Sequence, residues 1–174
     1  MVARERGPTT TCSHDVECEA NHLMDMKLDV VVLPVSDVET SKEFYRALGW
    51  QVDVDVATED LRVVRMVPPG SRCAVLFGRG ITTARPGSVR GLVLSVTDIE
   101  AARAELSARG AAVGEIYHDS SGVFRHSAPS HHVPGLDPRR RSEASFAAFD
   151  DPDGNGWLLQ EATTPGRWRS GTTG

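Results

Sequence analysis

One segment of the chain occurs twice, and this duplication constrains the fold more than any other feature of the sequence. The segment V-L-P-V-S-D-V-E at residues 32–39 returns as V-L-S-V-T-D-I-E at residues 93–100, and the similarity continues to Val52 and Val113. Because a sequence repeat marks a structural unit that is built more than once, we predict two copies of one unit within residues 28–162. We expect the functional site to lie in the cleft between the two copies.

Each copy predicts the order strand, helix and three further strands. A β-branched run precedes Asp37 and Asp98, which are placed to cap a helix by accepting its first free N–H groups. Gly49 and Gly110 then supply the left-handed backbone that ends a helix. The predicted later strands are 51–56, 61–67 and 72–77 in the first copy, and 111–118, 145–149 and 156–162 in the second.

Composition predicts an ordinary soluble globular protein. Hydrophobic residues make up 40% of the chain, charged residues 25%, and the net charge is -5. The only dense basic run, Arg139 to Arg141, is too short for a surface that tracks phosphates, so we expect no nucleic-acid partner. No apolar run is long enough for a membrane helix, and the charged first residues do not resemble a secretory signal, so we expect a cytoplasmic protein.

The two ends of the chain are expected to lie outside the folded domain. We predict a disordered leader over 1–26, one domain over 27–164 and a disordered tail over 165–174. An alternative for the leader is a zinc site, because thiolate and imidazole are the ligands that zinc prefers. The residues of that alternative are Cys12, His14, Cys18 and His22.

Three motifs in this order resemble the glyoxalase, bleomycin-resistance and extradiol-dioxygenase superfamily, also called vicinal oxygen chelate proteins. They are L-P-V-S-D-V-E after the first strand, F-Y-R-A-L-G-W in the first helix, and D-P-D-G-N-G-W-L-L-Q-E near the end. The resemblance implies an α+β fold of two tandem βαβββ modules, 27–80 and 91–164, joined by a linker. It implies that their strands form a curved, partly open, eight-stranded barrel-like sheet with the helices outside.

Members of that superfamily hold a divalent metal in the cleft, on imidazole and carboxylate ligands. The resemblance places the four ligand positions at Val30, Ala74, Gly91 and Leu158, none of which carries a ligand atom. We therefore expect no metal at the family site and no cofactor. Gln160 shares the strand face of Leu158 and is predicted to reach the ligand.

A lid-like insertion over 119–143 distinguishes the second module from the first, and long loops in compact domains often carry function. One interpretation makes His118 and His126, or His131 and His132, a relocated metal site together with Glu115, Asp119 or Asp137. Another makes His118 or His126 a general acid or base, since imidazole titrates near neutrality. A third is a solvated polar loop whose side chains only contact a ligand. Its arginines either present a guanidinium to an anionic ligand group or pair with Asp150, Asp151 and Glu143.

The sequence leaves three functions open. The first is a protein that binds a small, partly apolar organic molecule, which is compatible with empty metal positions. The second is a glyoxalase-like lyase or isomerase that uses His118 and His126; a scaffold that forms a homodimer through its sheet edges is a third. The predicted ligand-binding residues are Val30, Ala74, Gly91, Tyr117, Phe124, His131, His132, Arg139, Leu158 and Gln160.

Overall fold

The computed structural model describes residues 26–120 and 129–163 and shows two β-α-β modules in sequence. The predicted leader and tail, the zinc alternative of the leader, Phe124, Arg125 and His126 lie outside these ranges. The elements of the first module are β1 (Val30–Val32), α1 (Val38–Ala47), β2 (Gln51–Ala57), β3 (Arg62–Val67) and β4 (Ala74–Arg79). Those of the second are β5 (Leu92–Val96), α2 (Ile99–Ala108), β6 (Tyr117–Asp119), β7 (His132–Pro134), β8 (Ser145–Asp150) and β9 (Gly156–Glu161).

The strands form two sheets of the same design. Sheet A has the order β1-β4-β3-β2, and sheet B has the order β5-β9-β8-β6-β7. In each sheet the first strand runs parallel to the last strand of its module, while the other pairs are antiparallel. The α+β fold of two repeated modules with partly open sheets is confirmed, and no closed barrel forms among the described strands.

The helix caps form as the repeat predicts. Asp37 accepts a hydrogen bond from Thr40 N at 2.6 Å, and Asp98 accepts one from Ala101 N at 2.9 Å. Gly49 and Gly110 follow the helices with φ of 91° and 98°, a left-handed conformation that favours glycine. The same local chemistry therefore begins and ends both helices.

The second module departs from the predicted strand pattern at two places. Residues 111–116 are not a strand, because Val113 N donates to Ala111 O in a tight turn, while Gly114 N reaches Ala148 O at 2.8 Å. Ala111 and Val113 are buried in the core, which explains their apolar alternation without a strand. The insertion, in turn, contributes β7, which pairs with β6 and widens sheet B to five strands.

One hydrophobic core serves both modules. Each helix packs on one face of its own sheet, and the buried side chains of both helices and both sheets form a single cluster. Tyr45 of α1 lies at the centre, with ring centroids 4.6 Å from Trp50 and 6.1 Å from Trp157 of β9. Both sheets thus direct one face into the shared core and keep the other face turned away from it.

Buried polar contacts join the modules beside this core, at the closing turn over 151–155. Tyr45 Oη donates to Asp151 Oδ2 over 2.9 Å and accepts from Trp157 Nε1 at 3.1 Å. Burial, and then the Asp151 carboxylate, raise the pKa of Tyr45 far above its usual range, so the phenol is a neutral donor at all physiological pH values. Asn155 completes the junction by donating from Nδ2 to Asp151 Oδ2 at 2.8 Å and to Pro34 O of the first module at 3.1 Å.

No helix in the described part of the chain is long and apolar enough to cross a membrane.

Candidate functional site

Each sheet has an open face, which we define as the face turned away from the shared core. In sheet A the alternation of side chains along the strands and the pairing register assign the open face, because cross-strand partners share a face. Its members are Val30, Val32, Val54, Val63, Arg65, Ala74 and Leu76. In sheet B the members are Val93, Ser95, Tyr117, Phe146, Ala148, Leu158 and Gln160.

The predicted ligand positions of the superfamily lie on these two faces. Val30 pairs with Ala74 in sheet A, and Leu158 pairs with Val93 in sheet B. Val32, the repeat counterpart of Val93, pairs with Leu76. The structural counterpart of Leu158 is therefore Leu76, two residues beyond the Ala74 that the resemblance suggested and on the same face of β4.

Gly91 directly precedes β5 and has a φ of 76°, with open space where a Cβ would lie. A side chain with a ligand atom at this position would meet no neighbour but would strain the backbone, since L residues disfavour this region.

These positions supply only aliphatic groups or a hydrogen atom, whereas a divalent metal needs nitrogen, oxygen or sulfur donors. Within 26–120 and 129–163, no group of three or more His, Cys, Asp or Glu side chains is arranged to hold a metal ion. The residues present do not fit the metal that the superfamily often uses.

A charged cluster interrupts the aliphatic open face of sheet A. Arg65 lies opposite Leu76 on β4 and Val54 on β2. Its guanidinium donates from Nη1 to Asp53 Oδ2 at 2.7 Å and from Nη2 to Asp29 Oδ1 at 2.9 Å. This cluster was not predicted from the sequence, although Arg65, a charged residue within the β-branched run 61–67, was the available signal.

The open face of sheet B carries aromatic and polar side chains beside its aliphatic ones. The rings of Tyr117 and His132 stack with centroids 3.9 Å apart, and Tyr117 lies 5.7 Å from Phe146. Burial, and then the Asp119 carboxylate, raise the pKa of Tyr117 above its usual value, so its phenol stays protonated at neutral pH. Gln160 Nε2 donates to Glu143 O at 3.3 Å. The structure thus brings Tyr117, His132 and Gln160 of the predicted set onto one sheet.

The other predicted residues of the second module lie apart from this face. His118 pairs with Ser145 and Val133 on the side of β6 opposite to Tyr117, and its Nδ1 lies 3.0 Å from Gly135 O. His131 is exposed in a short 3-10 helix, Pro129–His131.

Two of the three arginines of the insertion form ion pairs, Arg141 within the insertion and Arg140 with the last strand. Arg141 donates from Nη2 to the buried Asp137 at 2.6 Å, and its guanidinium holds the pKa of Asp137 well below its usual range. Arg140 Nη2 donates to Oε1 of Glu161, a fully buried residue, at 2.9 Å. Arg139 is exposed. Arg140 and Arg141 therefore pair with Glu161 and Asp137, not with Asp150, Asp151 or Glu143 as one interpretation of the sequence expected.

A surface cavity of about 390 Å³ lies at the carboxyl ends of the parallel strands β1 and β4, beside the start of α1. It is lined by residues 35–39, Arg62, Gly78 and Arg79. Arg62 is already paired with Glu39 and with Asp55. Asp37 caps α1, and Arg79 Nη2 donates to Glu59 O. Because the charged groups of this cavity already have partners in the fold, the open faces are the better candidate site.

A family model described as the glyoxalase/bleomycin resistance protein/dioxygenase superfamily matches residues 27–159. The chain belongs to this superfamily. No curated protein matches it closely enough in sequence to count as a relative.

Solved structures of the superfamily are similar over nearly their whole length. TnmS3, an antibiotic-binding protein from Streptomyces sp. CB03234, is 28% identical, with a TM-score of 0.60 over 81% of this chain and 99% of that one. A glyoxalase/bleomycin resistance protein from the same organism is 29% identical, with a TM-score of 0.56 over 78% and 100%. A superfamily member from Sphaerobacter thermophilus DSM 20745 is 28% identical, with a TM-score of 0.58 over 80% and 99%.

Proposed function

We propose that this protein binds a small, partly apolar organic molecule against the open faces of its sheets, without a metal at the superfamily positions. The observation that carries the proposal is the chemistry of those positions. The side chains of Val30, Leu76, Gly91 and Leu158 offer no donor atom to a metal. Val30 and Leu76 are half-buried aliphatic groups at these positions, and Leu158 is buried.

Exposure of that surface supports a ligand rather than a purely structural role. Val32 and Val93, which occupy equivalent positions in the two modules, keep 37% and 43% of their surface exposed. Small-molecule sites are typically apolar with a few polar groups, and here Gln160 and Tyr117 of sheet B and Arg65 of sheet A would provide the polar groups. The similarity to an antibiotic-binding protein agrees with this class of ligand.

The test measures binding of N-phenyl-1-naphthylamine, a neutral apolar molecule that becomes fluorescent on leaving water. We expect saturable binding by the wild type that treatment with EDTA does not change, and we expect Val32→Asp to abolish it. Val133→Asp is the matched control, because Val133 is a similarly exposed valine, at 39%, on the opposite face of sheet B.

Native mass spectrometry of the same samples reports bound metal and whether a second copy covers the exposed valines. A stoichiometric metal that is lost together with probe binding would contradict the metal-free site. Absence of saturable binding, or equal losses in Val32→Asp and Val133→Asp, would contradict small-molecule binding at the open faces.

A further inference from the structure

Arg65 occupies the centre of an otherwise aliphatic surface. Its cross-strand neighbours on the open face of sheet A are Leu76 and Val54, and Leu76 in turn pairs with Val32. The next residue, Met66, points the other way and is fully buried in the core. A positive charge has therefore been placed in the middle of the surface that the proposed ligand covers.

A distortion of the sheet helps to hold this side chain in place. The register of β2 against β3 shifts between Val52 and Val54, so Asp53 has no cross-strand partner and forms a bulge. Bulges re-aim side chains and are frequent beside functional sites. Here the bulged Asp53 accepts from Arg65 Nη1 at 2.7 Å, while Asp29 accepts from Nη2 at 2.9 Å.

The ion pairs of Arg65 contribute little to the stability of the fold. The carboxylates of Asp29 and Asp53 are 74% and 46% exposed, and ion pairs with such exposed partners contribute little. Arg65 Nε, by contrast, is buried and has no acceptor among the described residues, which carries a desolvation cost. A charged residue that interrupts an aliphatic strand face without stabilising the fold is a candidate for a functional role.

We propose that Arg65 positions the bound molecule by donating a hydrogen bond to a carbonyl oxygen on its apolar body. A guanidinium has five N–H donors and no acceptor, and the contacts of Arg65 with Asp53 and Asp29 use one hydrogen on each Nη. The remaining Nη hydrogens belong to a side chain that is 27% exposed. With Asp29 and Asp53 the cluster carries one negative charge in excess, which favours a neutral acceptor over a carboxylate. This inference rests on the proposed function and names the chemical class of its ligand.

The experiment compares prodan, a fluorescent naphthalene with a propionyl carbonyl, with 2-(dimethylamino)naphthalene, which lacks only that group. We expect the wild type to bind prodan roughly tenfold tighter than the carbonyl-free probe, as a hydrogen bond to a charged donor predicts. Bound prodan should also show the longer emission wavelength of a hydrogen-bonded carbonyl. Arg65→Met should remove both the preference and the emission shift, while binding of 2-(dimethylamino)naphthalene stays within about twofold, since Met keeps the apolar contact.

Arg62→Met is the matched control, because Arg62 lies on the same strand, faces α1 and also holds two carboxylates, Glu39 and Asp55. We expect it to keep the preference for prodan. An unchanged preference in Arg65→Met, or an equal loss in Arg62→Met, would overturn the role of Arg65 while N-phenyl-1-naphthylamine binding still supports the proposed function. Failure of all three probes to bind the wild type would overturn both proposals.

Discussion

The sharpest prediction concerns the junction between the modules, where one hydroxyl group serves two buried partners. Tyr45→Phe removes the donor to Asp151 Oδ2 and the acceptor for Trp157 Nε1 and leaves the aromatic ring in place. Because Tyr45 is fully buried, water cannot replace the hydroxyl without repacking the core.

The magnitude follows from counting the groups that lose a partner. A hydrogen bond to a carboxylate contributes about 1.5 to 3 kcal/mol, and a buried donor left without an acceptor costs about 1 to 3 kcal/mol. Asp151 keeps the N–H groups of Asp153 and Asn155 and the side-chain amide of Asn155, which offsets part of the loss. We therefore expect Tyr45→Phe to lower the free energy of unfolding by about 2 to 3 kcal/mol.

Equilibrium urea unfolding measures this difference, with an unchanged dependence on urea concentration as the sign that the denatured state is unaffected. The control is Tyr117→Phe, since Tyr117 is the only other tyrosine and its hydroxyl has no hydrogen-bond partner in the described part of the chain. We expect that variant to stay within about 0.5 kcal/mol of the wild type. Equal effects of the two substitutions would refute the assignment of the junction as a stabilising network.

Two further predictions concern ion pairs. Arg62 and then Lys42 lower the pKa of Glu39 from 4.5 to about 2. The stability that these ion pairs contribute is therefore present above pH 4.5 and is lost as the pH falls toward 2. Glu39→Gln should lose urea resistance less steeply over that pH range in low salt, and an unchanged slope would contradict the pairing. Arg140→Met should cost about 2 kcal/mol of unfolding free energy, because it leaves the buried Glu161 carboxylate without its counter-charge. Glu161→Gln, whose amide needs no counter-charge, should cost less in the same assay, and the reverse order would show that the pair does not stabilise the loop.

The duplication predicted the architecture because the same local chemistry acts in both copies. Asp37 and Asp98 cap helices whatever surrounds them, and Gly49 and Gly110 end helices through their own backbone freedom. Such short-range effects can be predicted from spacing alone.

The candidate site was less predictable, because its contacts join distant parts of the chain. Arg140 pairs with Glu161 on the last strand, 21 residues further along the chain, and Arg65 pairs with Asp29, 36 residues before it. Arg65 depends on a bulge in β2, and the register shift that creates a bulge has no signal in the residues of β3. Sequence periodicity therefore identified the sheets but not the charged groups on their open faces.

The junction also bears on whether either module of the duplicated chain can fold alone. Asp151 belongs to the second copy, but its carboxylate is shared with Tyr45 of the first, and Asn155 reaches the backbone of Pro34. Either module alone would expose these polar atoms and the surrounding aromatic rings to water, because their partners lie in the other module. Each module therefore depends on the other to bury these groups, and we expect neither to fold on its own.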